Sequence, residues 1–254
     1  MGIRTLIKWL VTLGLPWTVG ATKYVKNFGA AGNGTVLDTD AIRNAIVAAG
    51  SNSVLIFTPG TYLVDGELNP SWDGVARINQ TWIGYGATIK RFDGEGIASV
   101  VNGTLVAGDT TCTVASTAGF RVGMSISFHT GTHASNAVYD TVNHRITDIN
   151  AGTGVITFTP GVGTIYNNTS ASSEAPGGSL ATPVCYAVTK LIGTGAISSG
   201  LKIYGLKFDG NRVNNDSFVR WWNSMEVHLA ADDCKIVDCA LNDVPGEGVV
   251  AGGW

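Results

Sequence analysis

The sequence predicts an all-β protein built as a solenoid of stacked parallel coils, with one short helix near its N-terminal end. The first observation is composition: 34 of the 254 residues are glycine and only 14% are charged, which suits many short strands joined by tight turns. The second is an internal repeat of short apolar strands, and the third is an amphipathic helix between strand-like segments. A repeat at fixed spacing indicates coils that stack on one continuous core.

Composition also narrows the function. The formal net charge is −3, so the composition gives no indication of the basic surface that a nucleic-acid-binding protein needs. The four cysteines and four histidines show no metal-ligand spacing, so no metal and no cofactor are predicted. Abundant Gly, Thr, Ser and Asn are typical of polysaccharide-binding surfaces, although a plain β-solenoid has the same composition.

Residues 1–22 form a distinct N-terminal segment. Arg4 and Lys8 precede an apolar run from Trp9 to Val19, which has the shape of a signal peptide and is too short to span a bilayer. Two interpretations follow: a docking segment on the solenoid end or on a partner, or a signal peptide cleaved after Ala21.

The single predicted helix follows a glycine-rich loop. Asp38 or Thr39 is expected to accept the free N–H groups of its first turn, and Gly50 is expected to end it. Strand-like runs follow at Val54–Phe57 and Tyr62–Val64. The apolar residues that share one face of the helix are Ala41, Ile42, Ala45, Ile46 and Ala49.

This region resembles the N-terminal signature of the pectate-lyase-like right-handed parallel β-helix superfamily. Two positions depart from the family pattern, where Asn33 and Leu37 replace acids. The resemblance implies a right-handed parallel β-helix whose open N-terminal end is capped by the helix, with the cap and first coils in residues 23–96. The matching residues are Val25, Phe28-Gly29-Ala30, Gly32-Asn33-Gly34, Asp38-Thr39, Ala41-Ile42, Ala45-Ile46, Ile56-Phe57 and Pro59-Gly60-Thr61-Tyr62.

Residues 97–165 have a different pattern, with alternating strands and hairpin-like turns such as Ala151-Gly152-Thr153-Gly154. They resemble the small antiparallel β domain that interrupts the first coils in many phage tailspikes. We therefore expect an inserted small antiparallel β domain at 97–165, and further β-helix coils over 166–254. The last coil is expected to be incomplete, as in a fragment of a longer solenoid.

The repeat lies in these last coils. Ile203 aligns on Ile236 with an offset of 33 residues, whereas Val227 aligns on Val249 with an offset of 22. The difference predicts an 11-residue insertion within Asn211–Asn223. An insertion at one corner of a coil places a loop on one face, where solenoids carry binding residues.

The inserted loop and its neighbours hold the candidate site. A tryptophan ring can stack on a sugar while polar groups bond its hydroxyls, although a tryptophan could instead plug the corner of the coil. Glycoside hydrolysis needs two carboxyl groups roughly 5–9.5 Å apart, and acids on adjacent coils, about 4.8 Å apart, can supply them. The predicted substrate-binding residues are Trp221, Arg220, Asp216 and Arg212. The candidate catalytic acids are Glu226, Glu247, Asp209 and Asp243.

Three functions remain open at this stage. The first is a phage tailspike-like, receptor-binding virion protein of the tail, a homotrimer that binds bacterial surface polysaccharide, with or without depolymerase activity, and contacts other tail proteins. The second is an exported bacterial polysaccharide lyase or glycoside hydrolase. The third is a non-enzymatic structural virion protein. No membrane span is expected for any of them.

Overall fold

The computed structural model describes residues 20–93, 97–130, 138–140, 144–167, 175–176, 179–187, 191–194, 198–214, 227–244 and 248–251. Residues 1–19, which hold most of the predicted docking segment or signal peptide, lie outside the described residues. Within the described part, no helix is long and apolar enough to cross a membrane.

The described coils are right-handed turns of a parallel β-helix, whose strands stack into three parallel sheets. The first sheet contains β1 (Thr22–Tyr24), β3 (Val54–Ile56), β5 (Thr81–Ile83), β19 (Lys202–Tyr204) and β22 (Lys235–Val237). The second contains β2 (Asn33–Leu37), β4 (Gly60–Val64), β6 (Ala87–Arg91), β20 (Lys207–Asp209) and β23 (Ala240–Asn242). The third contains β18 (Ile192–Thr194), β21 (Val227–Leu229) and β24 (Val249–Ala251).

The strand register confirms the repeat. Ile203 pairs with Ile236 in the first sheet, and Val227 pairs with Val249 in the third. Side chains alternate between the two faces of each strand, so one side chain per short strand enters the core. Leu55, Trp82 and Ile203 therefore stack inside the solenoid on successive coils, each almost fully buried.

The helix α1 (Thr39–Ala49) covers the N-terminal end of this core. Its apolar face is buried, with Ile42 and Ile46 both fully inaccessible. Gly50 ends the helix with a φ of +70°, a conformation that costs glycine little. A short 3₁₀ helix (Val25–Phe28) precedes β2 and adds Val25 to the same core. The capping role implied by the family resemblance is thus confirmed.

The predicted N-terminal cap of this helix is wrong. Neither side chain bonds the free N–H groups of the first turn. The Asp38 carboxylate instead accepts N–H bonds from Ala31 (2.5 Å) and Gly32 (3.0 Å), and the Thr39 hydroxyl donates to Asp65 (2.7 Å). Both side chains therefore bond the start of the helix to neighbouring loops. These partners are distant in sequence, so the local sequence does not predict the bonds.

An antiparallel β domain is inserted between β6 and β18. Val184–Ala187 pairs along Ser125–His129, and Ser179–Ala181 pairs with Thr104–Val106. The antiparallel pairing therefore continues beyond residue 165, the end expected from the sequence. Its strands are β7 (Ala98–Val100), β8 (Thr104–Val106), β9 (Thr111–Thr113), β10 (Ser125–His129), β11 (Val138–Asp140), β12 (His144–Asn150), β13 (Val155–Thr159), β14 (Ile165–Asn167), β15 (Ala175–Pro176), β16 (Ser179–Ala181) and β17 (Val184–Ala187).

The inserted domain has its own hydrophobic core, separate from that of the solenoid. Phe128 and Phe158 are buried in it with ring centroids 5.0 Å apart, and Cys185 from the last strand packs among them. A separate core is the physical mark of a domain, which is why the strands after residue 165 belong with those before it.

Polar contacts hold the inserted domain against the cap. Arg121 makes a bidentate ion pair with Asp65, whose side chain is fully buried. From the helix, Arg43 donates to the carbonyl oxygen of Gly123 (2.6 Å). Two elements far apart in sequence thus share buried charge at one junction.

Candidate functional site

The candidate site lies at the corner where each coil passes from the second sheet to the third. The inserted domain departs from one coil between β6 and β18, and the segment after Asp209 departs from the next coil between β20 and β21. Both excursions therefore start from the same corner of adjacent coils. The corner site is defined here by Asp93, Asp209, Asn211, Asn214 and Asp243.

Asp209 is positioned by the register of the second sheet. Its neighbour Phe208 points into the core, so Asp209 points outward. The side chain lies in register with Lys90 on the preceding coil and Asn242 on the following one. One carboxylate oxygen accepts the backbone N–H of Asn211 at 2.9 Å, an Asx-type turn that fixes the carboxylate where the strand ends.

Asn211 connects this coil to the preceding one. Its φ of +49° is tolerated by asparagine better than by most residues. The side-chain amide donates to the carbonyl oxygen of Arg91 (3.1 Å) and to the Asp93 carboxylate (2.6 Å). Asn214 donates to the same Asp93 oxygen at 3.0 Å. Two amides on one coil therefore hold an exposed carboxylate on another.

Asp243 supplies a carboxylate on the next coil. It is exposed, its φ is +46°, and its backbone carbonyl accepts the N–H of Arg212 at 3.0 Å. Asp243 lies one residue beyond Asn242, the register partner of Asp209. The structure thus places both aspartates at the same corner on adjacent coils, and their pairing as a catalytic couple stays a prediction.

The remaining predicted site residues fall outside the described residues. These are Asp216, Arg220, Trp221, Glu226 and Glu247. Arg212 is described and exposed in the short 3₁₀ helix Arg212–Asn214, directly beside Asn211. The predicted insertion within Asn211–Asn223 therefore starts at Asn211, in the corner site, and most of it lies outside the described residues.

The sequence analysis missed Asp93 of the corner site and Lys90, which lies next to the corner site. Asp93 is separated from Asn211 by 118 residues, and Lys90 is the register partner of Asp209 in the neighbouring strand. Neither lies in a motif, so only the stacking of coils could have identified them. The register places Lys90 and Asp209 side by side on neighbouring strands of the second sheet.

The corner presents side chains of the kinds that form hydrogen bonds with hydroxyl groups. Carboxylates accept hydrogen bonds from hydroxyl groups, and asparagine amides both donate and accept. Within the described part of the chain, no three His, Cys, Asp or Glu side chains are grouped to hold a metal ion. The groups present are therefore those of a polar, carboxylate-bearing surface along the solenoid axis.

Comparisons with known proteins found similarity to solved structures but to no family model. No protein-family model matches the sequence, and no curated protein matches it. Similar solved structures include the tailspike gp61 of Pseudomonas phage phi297, at 11% identity over 85% of this chain and 41% of that one, with a TM-score of 0.26. The gp54 tailspike of Acinetobacter baumannii bacteriophage AP22, solved with capsular saccharide, is 6% identical over 95% and 46%, with a TM-score of 0.27.

A bacterial enzyme is also similar. The family 28 exopolygalacturonase of Yersinia enterocolitica is 11% identical over 91% of this chain and 41% of that one, with a TM-score of 0.33. The chain spans less than half the length of each of these three structures. The stacked parallel sheets, the capping helix and the repeat register together confirm the resemblance inferred from the sequence, and the chain has the right-handed parallel β-helix fold of the pectate-lyase-like proteins.

Proposed function

We propose that this chain is the β-helical part of a tailspike-like virion protein that binds a bacterial surface polysaccharide. The observation that carries the proposal is the corner site, where two excursions leave adjacent coils beside a fixed row of carboxylates and amides. In this proposal the protein is a homotrimer on the phage tail and contacts other tail proteins through other surfaces.

Preorganisation supports a binding role for the corner site. Asp93 is held by two side-chain amides and Asp209 by a backbone N–H, so neither carboxylate needs to be ordered when a ligand arrives. Fixing polar groups in advance lowers the entropic cost of binding. Asp93 is exposed, and Asp209 is half-buried on the outer face of its sheet, so both can receive sugar hydroxyl groups.

In this proposal the insertion within Asn211–Asn223 completes the site. Trp221 is assigned the stacking surface for a sugar ring, with Arg220, Asp216 and Arg212 orienting its polar substituents. An aromatic ring beside charged groups gives both apolar contact area and hydrogen bonds. These assignments rest on the sequence of the loop, since Arg212 is the only one of the four residues that the structure describes.

Depolymerisation is the enzymatic form of this proposal. Hydrolysis would use one carboxylic acid to protonate the leaving oxygen and a second carboxylate as nucleophile or as base for water. Asp209 and Asp243 are one such couple on adjacent coils, and Glu226 with Glu247 is the other.

A structural role is the second candidate, and one observation favours it. The Asn211 amide donates to Arg91 and to Asp93, so the network also works as a lock between two coils. In a non-enzymatic virion protein this lock would be the whole purpose of the corner.

Binding measurements with the full-length protein separate the two candidates. A panel of purified bacterial capsular and O-antigen polysaccharides is tested with wild type, Trp221→Ala and Asp209→Asn. The matched control is Tyr85→Ala, which removes an aromatic ring that is 41% exposed on the turn after the first sheet. We expect wild type to bind at least one polysaccharide, and Trp221→Ala to lose roughly tenfold or more in affinity, as is usual for a buried aromatic contact.

Turnover is read from the release of reducing ends. Asp209→Asn should keep binding and lose cleavage if the aspartate is catalytic, and Tyr85→Ala should keep both. Failure of wild type to bind any polysaccharide would overturn the proposal. Equal affinity and turnover in wild type, Trp221→Ala and Asp209→Asn would leave the corner a structural role and would place polysaccharide binding on another surface.

A further inference from the structure

The junction between the solenoid and the inserted domain brings two guanidinium groups to one indole ring. The Cζ atom of Arg145, in β12, lies 4.7 Å from the centroid of the Trp72 ring. The Cζ atom of Arg43, in α1, lies 5.3 Å from the same ring. Each contact is a favourable cation–π interaction, but together they bring two like charges close to each other.

Arg43 cannot turn away from this position. Its Nη1 donates to the carbonyl oxygen of Gly123 (2.6 Å), and its Nε and Nη2 donate to the carbonyl oxygen of Glu67 (3.2 and 2.9 Å). Burial lowers the pKa of Arg43 to about 10, and the positive charge of Arg145 adds to this lowering while the charge of Asp40 opposes it. The repulsion is therefore built into the junction rather than relieved by movement of Arg43.

The Arg145 and Trp72 side chains retain unused donors. Arg145 Nε and Trp72 Nε1 are buried, and neither has a hydrogen-bond partner among the residues that the structure describes. A buried donor left unpaired is unfavourable, so such donors usually face a ligand or an ordered water.

The acids of the junction lie around Arg43 and Arg121. Arg121 binds both Asp65 and Asp40, and Asp40 also lies 4.0 Å from Arg43. Arg77 binds Asp73, and the Glu67 side chain, whose negative charge acts on Arg43, accepts a bond from the neutral Asn69 amide. No ion pair joins Arg145 to an acid within the described part of the chain. Arg145 thus differs from Arg43, Arg77 and Arg121, each of which has an acid within 4.0 Å.

We propose that Arg145 and Trp72 form a binding site for a single oxyanion, a carboxylate, phosphate or sulfate group. The guanidinium supplies a planar fork of donors that matches two oxygens of such a group, and the indole N–H supplies a further donor. A negative charge here also offsets the repulsion between Arg43 and Arg145. Water could satisfy the donors but would supply no negative charge to pair directly with Arg145.

The site joins two bodies of the fold, because Arg145 comes from the inserted domain whereas Trp72 and Arg43 come from the solenoid and its cap. A ligand that binds only the native junction stabilises it by mass action. The oxyanion has two sources, free inorganic anion or the acidic group of a saccharide. The second source rests on the proposed function, whereas the anion site itself does not.

Isothermal titration calorimetry and thermal unfolding of the full chain test the proposal. The probes are phosphate and sulfate against chloride at equal ionic strength, and glucuronate against glucose as its uncharged match. The variants are Arg145→Gln and Trp72→Phe, and the control is Lys235→Gln, which removes an exposed cation from the first sheet. Sulfate also stabilises folded proteins in general, so only the difference between wild type and Arg145→Gln counts as site binding.

We expect saturable anion binding by wild type, a loss of roughly tenfold or more in Arg145→Gln, a smaller loss in Trp72→Phe, and none in Lys235→Gln. Near-ultraviolet circular dichroism shows whether each variant is folded. If Arg145→Gln is not folded, Arg145→Lys, which keeps the charge, replaces it in the measurement. Binding of glucuronate but not glucose would identify the acidic group of a saccharide as the source of the oxyanion. Binding of phosphate or sulfate without binding of glucuronate would identify a free inorganic anion as the source. Equal stabilisation of wild type and Arg145→Gln, or no saturable binding by wild type, would overturn the proposal in favour of water.

Discussion

At the scale of single residues, Asp38 shows how burial changes the use of a side chain. Its carboxylate is fully buried and accepts N–H bonds from Ala31 and Gly32, which closes the glycine-rich loop before the helix. Burial raises the pKa of Asp38 above its ordinary value of 3.8, although these N–H groups and the charge of Lys26 act in the opposite direction.

The raised pKa predicts a pH dependence of stability that Asp38→Asn removes. Between 3.8 and the raised folded value, the folded state binds more protons at Asp38 than the unfolded state. The contribution of Asp38 is therefore most favourable below 3.8 and falls as the pH rises through the folded pKa. Asparagine keeps an acceptor and does not titrate.

Denaturant unfolding of wild type and Asp38→Asn, from about pH 3 to about pH 7, provides the measurement. The free energy of unfolding of wild type minus that of the variant should decrease as the pH rises. A difference that stays constant or increases with pH would contradict the assignment of burial as the dominant cause.

At the scale of elements, the cap helix α1 buries one face against the solenoid core and exposes the other to water. Ile42, Ala45 and Ile46 are fully buried against the first coil, whereas Val47 is 39% exposed. Without this helix, the inward side chains of the first coil would meet water. The helix therefore protects the end of the solenoid and prevents further strand pairing there.

Two neighbouring positions of the helix test this role. Ile46→Ala should lower the free energy of unfolding by about 2–5 kcal/mol, because it leaves a cavity in the capped core. Val47→Ala should change it by less than about 0.5 kcal/mol, because its side chain is largely in water. Chemical denaturation monitored by circular dichroism measures both, and equal effects of the two substitutions would exclude a capping role.

At the scale of the whole molecule, two hydrophobic cores meet at one polar junction. The solenoid core and the core of the inserted domain are separate. Leu63 of β4, a strand of the solenoid, packs against the core of the inserted domain. The ion pair between Arg121 and Asp65 adds buried charge between them. We therefore expect the inserted domain, which packs on the first coils, to fold as a unit of its own.

Excision at two different boundaries tests this organisation. Replacing 97–187 with a short Gly-Ser linker should leave a soluble parallel β-helix, because the polar groups at the junction, including Asp65, regain water. Replacing only 97–162 should give an aggregating product, because Val184–Ala187 and Ser179–Ala181 lose their partners and expose strand edges. Circular dichroism and size-exclusion chromatography compare the two, and a soluble second variant with an unfolded first would refute the boundary at 187.

Much of the β-helix could be predicted because its information is local. The helix face of Ile42 and Ile46 and the aligned pairs Ile203–Ile236 and Val227–Val249 appear directly in the chain. Each coil repeats one strand pattern, so neighbours in space are also neighbours in the repeat.

The tertiary structure alone decided which residues meet across long sequence separations. Asp93 joins Asn211, Thr39 binds Asp65, Arg145 reaches Trp72, and the strand at Val184–Ala187 belongs to the inserted domain. Strand register and domain docking bring these groups together, and neither leaves a local pattern. The sequence by itself therefore determined the fold and the corner that carries the predicted loop, whereas the polar partners of that corner and the junction depended on how the coils and the insertion stack.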